Sequence, residues 1–112
     1  METYEQYFTI RQWTWHPEHF YFYCDVDIPE LTKYVFDHGV INTYYVASVN
    51  GDEVLYPLPY DYYERDASGV YRWTEQSTCE IYPGVIRFIT QYNDFRNPPV
   101  PPTLTFRVKM MW

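Results

Sequence analysis

Phe20-Tyr21-Phe22-Tyr23-Cys24-Asp25-Val26-Asp27-Ile28 alternates apolar and polar side chains along its length. Phe20, Phe22, Cys24, Val26 and Ile28 fall on one face; Tyr21, Tyr23, Asp25 and Asp27 fall on the other. Side chains repeat every two residues along a strand, so this stretch reads as a β-strand with one buried and one wet face. The C-terminal segment repeats the pattern. Leu104, Phe106, Val108, Met110 and Trp112 oppose Thr103, Thr105, Arg107, Lys109 and Met111. Antiparallel sheets commonly show one face to solvent, and both segments suit one.

Weaker strands lie around these two. Tyr7 to Trp15 is predicted as one strand with Phe8 and Ile10 inward. Val40 to Val49 is apolar on both faces and is followed by Asn50-Gly51 and Glu53 to Tyr56. Asn-Gly tolerates positive φ at both positions, so a type I′ hairpin is expected there. Val70 to Tyr82 and Val85 to Tyr92 flank Pro83-Gly84, a second expected hairpin. Asn97-Pro98-Pro99-Val100-Pro101-Pro102 lacks the donors a ladder needs and reads as an extended loop. Pro29 to Gly39 breaks the period of two: Leu31 and Val35 stand four apart, between a proline and a glycine that punctuate a helix. The predicted fold class is all-β, mainly antiparallel. It is a two-sheet β-sandwich of about seven strands with one short helix near residues 30–38, forming a single domain over residues 1–112. Phe22, Val26, Phe106 and Val108 are expected to be buried and to face one another across the sheets.

The 112 residues carry eight Lys and Arg against fifteen Asp and Glu, a net charge of −7. That balance speaks against a nucleic-acid partner, because basic side chains on phosphates supply most of such affinity. No run of about 18 apolar residues offers a transmembrane helix. Met1 to Ile10 contains Glu2 and Glu5 and no apolar core, so no signal peptide is read there. Cys24 and Cys79 both fall on inward faces; a bridge and two buried free thiols are both open.

No catalytic constellation emerges. His16-Pro17-Glu18-His19 holds the closest histidine pair, yet no third ligand follows, and a polar turn is the better reading. Asp61, Glu64 and Asp66 fall in a segment read as the loop after Leu58, and Asp25 and Asp27 share one face. Neither set has the spacing of a calcium loop or a fixed acid–base pair. Twelve acids and three bases precede or include Asp66, while three acids and five bases follow it, so cross-strand ion pairing is the simplest use of the charges. Neither cysteine has a basic neighbour that would lower its pKa, and no glycine-rich phosphate loop occurs. No catalytic residue, cofactor or metal is expected.

The aromatic surplus is the feature that bears on function. Aromatic residues make up 22% of the chain, with 14 tyrosines. Tyr60, Tyr62, Tyr63, Tyr71 and Trp73 crowd one stretch and are the candidate ligand or partner residues. Flat rings beside carboxylates stack on sugar faces, and amphipathic rings also serve protein interfaces. Tyr equally suits a half-buried pleated surface with no ligand at all.

Asp27-Ile28-Pro29-Glu30-Leu31-Thr32, Asp37-His38-Gly39-Val40, Tyr56-Pro57-Leu58-Pro59-Tyr60 and Phe106-Arg107-Val108 carry a resemblance across nearly the whole chain, with Trp13 and Trp15 in keeping with it. The chain resembles small uncharacterised β-rich domains of secreted Bacteroidales lipoproteins. Members of that family often begin with a lipoprotein signal and a collagen-like Gly-X-Y stretch, neither of which occurs in these residues. The resemblance implies an extracytoplasmic place, at a cell surface or in the periplasm, and no established activity. The expected function is a non-catalytic module for protein recognition, adhesion or assembly at a bacterial surface. The alternative is a carbohydrate-binding module using exposed Tyr and Trp, and a small hydrolase is a remote third.

Overall fold

The computed structural model describes residues 1–112. Its strands are β1 (Thr3–Ile10), β2 (Thr14–His16), β3 (Tyr21–Asp27), β4 (Val40–Val49), β5 (Asp52–Pro57), β6 (Tyr60–Arg65), β7 (Tyr71–Tyr82), β8 (Val85–Tyr92) and β9 (Leu104–Met111), with one helix, α1 (Lys33–His38). They form a four-stranded sheet in the order β1-β9-β4-β5 and a five-stranded sheet in the order β2-β3-β8-β7-β6. Every neighbouring pair is antiparallel. The result is a two-sheet β-sandwich. No helix is long and apolar enough to cross a membrane.

The alternation of β9 translates directly into burial: Leu104, Phe106, Val108 and Met110 are all inside. At the centre, the Phe106 ring stacks on Phe88 of the opposite sheet, with centroids 4.4 Å apart and planes 12° from parallel. Trp13 and Tyr45 meet Phe106 edge-on at 6.5 and 6.2 Å. Ile10, Ile28, Leu31, Val35 and Ile86 complete the buried cluster.

The register of β3 is as the alternation predicts, with two adjustments. Phe22 is buried against Trp15, 4.9 Å away on β2, rather than in the central cluster, and Val26 is only half-buried. Phe88, one strand further in, takes the place expected for them opposite Phe106. Phe20 leaves the pattern altogether: it closes a turn at φ 57°, donates its N–H to the His16 carbonyl at 2.8 Å, and is exposed.

Three segments differ more clearly from expectation, giving nine strands instead of about seven. Tyr7–Trp15 is not one strand: β1 ends at Ile10, and the chain crosses to the other sheet before β2. Trp13 drives the crossing, since its ring packs on Phe106 between the layers while its Nε1–H donates to the Pro102 carbonyl at 3.1 Å. The acidic segment after Leu58 is a strand, β6, rather than a loop. Its period of two was hidden because one face carries Glu64 beside Tyr60 and Tyr62. Only Asp66 lies in a turn, where its Oδ1 accepts from the N–H groups of Ser68 and Val70. Helix α1 starts later than Pro29, at Lys33. Thr32 is the N-cap, its hydroxyl accepting from the Val35 N–H at 3.2 Å, as a β-hydroxyl at that position commonly does.

Both hairpins form as read: Asn50 and Gly51 take φ 53° and 83°, the signature of the type I′ turn. The prolines from Pro98 to Pro102 make no strand. Cys24 and Cys79 are free and half-buried. Both register against Phe88, one from each flanking strand, so two strand spacings of about 4.8 Å separate them within one sheet. That span exceeds the reach of a disulfide, about 7 Å between Cα atoms. An inter-sheet bridge between them is therefore excluded.

Candidate functional site: an aromatic cleft between the sheets

Strands β6 and β7 run on past the end of the central core. Their inward residues there are Tyr62 and Glu64 on β6 and Trp73 and Glu75 on β7, with Tyr62 opposite Glu75 and Glu64 opposite Trp73. Nothing of the other sheet fills the space before them completely. A cleft of about 400 Å³ remains, closed on the far side by Tyr45, Leu104 and the proline loop at Pro99, Val100 and Pro102, and floored by Tyr92. The composition is amphipathic: aromatic rings and prolines, with two carboxylates.

Tyr62 and Trp73 are the rings presented to the cleft. Tyr62 is half exposed, and the charge of Glu64 beside it pushes its phenol pKa upward. Trp73 is held from behind by Phe95, edge-on at 5.5 Å, and flanked by the Arg72 guanidinium 4.9 Å from its ring. At the base, buried Tyr92 donates its hydroxyl to Glu75 Oε2 at 2.7 Å. Burial and that bond push the Tyr92 phenol far up, so it remains a donor.

The Glu75 carboxyl is perturbed by its surroundings. Burial raises its pKa, the Tyr92 hydroxyl acts in the opposite direction, and the charge of Glu64 adds to the rise. The folded protein therefore holds this proton more tightly than the unfolded chain does. Its contribution to stability is full in acid and is lost as pH climbs from about 4.5 through the raised value. Glu75→Gln keeps an acceptor for Tyr92 and removes the charge. We expect this variant to melt above the wild type at neutral pH and to lack the wild type's decline across that window. Thermal melts between pH 4.5 and neutrality check it.

The five candidate residues do not share one surface. Tyr62 and Trp73 line the cleft. Tyr60 shares their face but packs against the neighbouring rings of Tyr56 at 4.4 Å and Tyr45 at 5.1 Å, a cluster that ties the two sheets together beside the mouth. Tyr63 points to the outer face, opposite Thr74. A register shift between Glu64 and Arg65 carries Tyr71 outward as well. There its hydroxyl donates to the Asp94 carboxylate at 2.9 Å, and the Thr74 N–H donates to the same group at 2.8 Å. Tyr71 thus latches the turn after β8 onto β7.

Tyr45, Glu75, Tyr92 and the loop residues Pro99 and Val100 complete the cleft without having been singled out by sequence. Glu75 did leave a signal, because it shares inward parity with Ser77, Cys79 and Ile81. Several charged groups outside the cleft have structural partners. Asp25 forms a two-pronged pair with Arg87, at 2.8 and 3.1 Å, directly across the strands. His16 and His19 lie 4.6 Å apart, with the His19 N–H donating to His16 Nδ1. No group of three His, Cys, Asp or Glu side chains is placed to hold a metal ion. No protein-family model, curated protein or solved structure matches the chain.

Proposed function

We propose that the protein is a non-catalytic glycan-binding module, acting outside the cytoplasm. The cleft carries this reading. A pyranose presents an apolar face of C–H groups and a rim of hydroxyls. Tyr62 and Trp73 supply flat surfaces for the first, while Glu64 and Glu75 supply acceptors for the second. The volume, about 400 Å³, suits one or two sugar units rather than a protein segment. The proposed role is binding because Glu75, the carboxyl with the raised pKa, is already engaged by Tyr92 at the base of the cleft. The extracytoplasmic place rests on the resemblance to secreted lipoprotein domains. Recognition of a protein partner in adhesion or assembly is the competing reading, and the exposed outer-face Tyr63 is the observation that favours it.

A glycan array separates the two. Wild-type protein is expected to retain a restricted set of glycans, with Tyr62→Ala weakening binding about tenfold, the scale of one lost ring contact. Tyr63→Ala, on the opposite face, is expected to bind as the wild type does. Both variants should melt close to the wild type, since each ring is about half exposed. An array with nothing retained above background, or equal losses from Tyr62→Ala and Tyr63→Ala, would overturn the assignment.

A further inference from the structure

Four strands sit at sheet edges: β1 and β5 in one sheet, β2 and β6 in the other. Exposed edges are templates for further pairing unless shortened, bulged, charged or interrupted by proline. Three of the four are blunted in one of these ways. Strand β2 has three residues, β5 opens on Asp52-Glu53 and ends on Pro57, and β6 carries the register shift at Glu64/Arg65. Strand β1 has none of these devices beyond a single charge. It pairs with β9 without interruption over eight residues and contains no proline, glycine or lysine. Its one charged side chain, Glu5, is already paired with Arg107 at 3.0 Å.

The direction of its free groups is fixed by the ladder. Glu2 and Trp112 exchange both backbone hydrogen bonds, at 2.7 and 3.0 Å. Bonded pairs alternate in an antiparallel ladder, so Tyr4, Gln6, Phe8 and Ile10 also turn their backbone groups toward β9. Thr3, Glu5, Tyr7 and Thr9 turn theirs to the open side. Beside that edge runs a groove lined by Phe8, Ile10, Cys24 and Val26. It exists because β2 covers only the first part of β3, Tyr21 to Tyr23, leaving Cys24 to Asp27 without an outer neighbour. Phe8, Cys24 and Val26, which pack against the core, are left half-buried there.

We propose that a second copy of this chain pairs with β1, the two β1 strands running antiparallel about a two-fold axis through Gln6. The sequence of β1 is complementary to itself in that register. Thr3 meets Thr9, Tyr4 meets Phe8, Glu5 meets Tyr7, and Gln6 meets its own copy. The hydroxyl pair, the aromatic pair and the two amides are of a kind that stabilises neighbouring strands, whereas the Tyr7 hydroxyl already donates to Glu53 at 2.9 Å and Glu5 already pairs with Arg107, so that pair adds only side-chain contact. No acid faces an acid, and Glu2 of one copy lies at the same end of the ladder as Arg11 of the other. The outward groups of Thr3, Glu5, Tyr7 and Thr9 all find partners. Inward parity is kept across the junction, so the two four-stranded sheets become one continuous sheet and the second copy closes the side of the groove.

Sedimentation and cross-linking test this together. The wild type is expected to sediment as a species of twice 13.7 kDa. Pairs with inward parity would be the non-bonded ones of the new ladder, with Cα atoms about 4.5 Å apart. Gln6→Cys should therefore join two copies by a disulfide on mild oxidation, while Glu5→Cys and the wild type should not. Gln6→Lys, at an exposed position, should fold normally and weaken the dimer about fivefold, because it sets two ammonium groups opposite each other. A monomeric wild type would overturn the proposal. So would a dimer in which Gln6→Cys fails to cross-link, or in which Glu5→Cys cross-links equally well.

Discussion

Replacing Phe106 with alanine is expected to lower the unfolding free energy by about 3–5 kcal/mol, the range for truncating a fully buried aromatic residue. Phe106 has no exposed surface and is the point at which the layers meet. Its ring lies flat on Phe88 from the opposite sheet and is capped edge-on by Trp13 and Tyr45. These four groups come from both sheets and from the crossing between β1 and β2, so no single element can move in to fill the void. For a chain of this length the loss corresponds to a fall in melting temperature of ~12–20 °C. Denaturant titration checks it, and a change below about 1 kcal/mol would mean that the stacked pair is not the centre of the core.

Gly39→Ala should destabilise for a different reason. The backbone at Gly39 is at φ −84°, which any residue adopts, so conformational freedom is not what the position requires. What it requires is space. A Cβ at Gly39 would stand 2.7 Å from the Val35 carbonyl oxygen, 3.0 Å from Val35 Cγ1 and 3.2 Å from the Met111 carbonyl oxygen. Two of these are backbone atoms, and the Gly39 N–H is itself bonded to the Val35 carbonyl. The helix end would have to lift away from β9, moving Val35 out of the core. Overpacking of this kind costs about 1–3 kcal/mol. Gly69→Ala is the informative control, since a Cβ there meets nothing within 4 Å and any loss comes only from its positive φ. If Gly39→Ala melts no lower than Gly69→Ala, the close approach is not limiting.

The two sheets were legible wherever one face was purely apolar. In β3 and β9 the alternation identifies strand, inner face and register together, and the Asn-Gly and Pro-Gly turns place the hairpins. Legibility failed where burial was mixed. Strand β6 has a period of two, but Glu64 stands on its inner face because that face opens onto a cleft rather than onto the core. The feature that makes the segment interesting is the one that concealed it. The break at residues 11–13 was hidden in the opposite way: Trp13 and Trp15 look like continued strand because both stay half-buried while the chain changes sheet. The candidate tyrosines were legible as a group but not as an arrangement. One register shift beside Glu64 sends Tyr71 to the far side of the sheet from Trp73. No local pattern reveals a bulge before the partner strand is known.

The pairing of β1 with β9 also gives the molecule a mechanical direction. Thr3 and Glu2 lie against Met111 and Trp112, so both chain ends emerge at the same end of one ladder. Tension applied through the two ends would open that ladder as a zipper, one bonded pair at a time, beginning at Glu2 and Trp112. Because β9 is antiparallel to both neighbours, β1 runs parallel to β4, and the Asn50-Gly51 turn lies at the opposite end of the sheet. Tension between Met1 and that turn would load the β1–β9 and β9–β4 ladders lengthwise, straining their bonds together. Pulled by its own ends the domain yields gradually; held across the sheet, it resists as a unit.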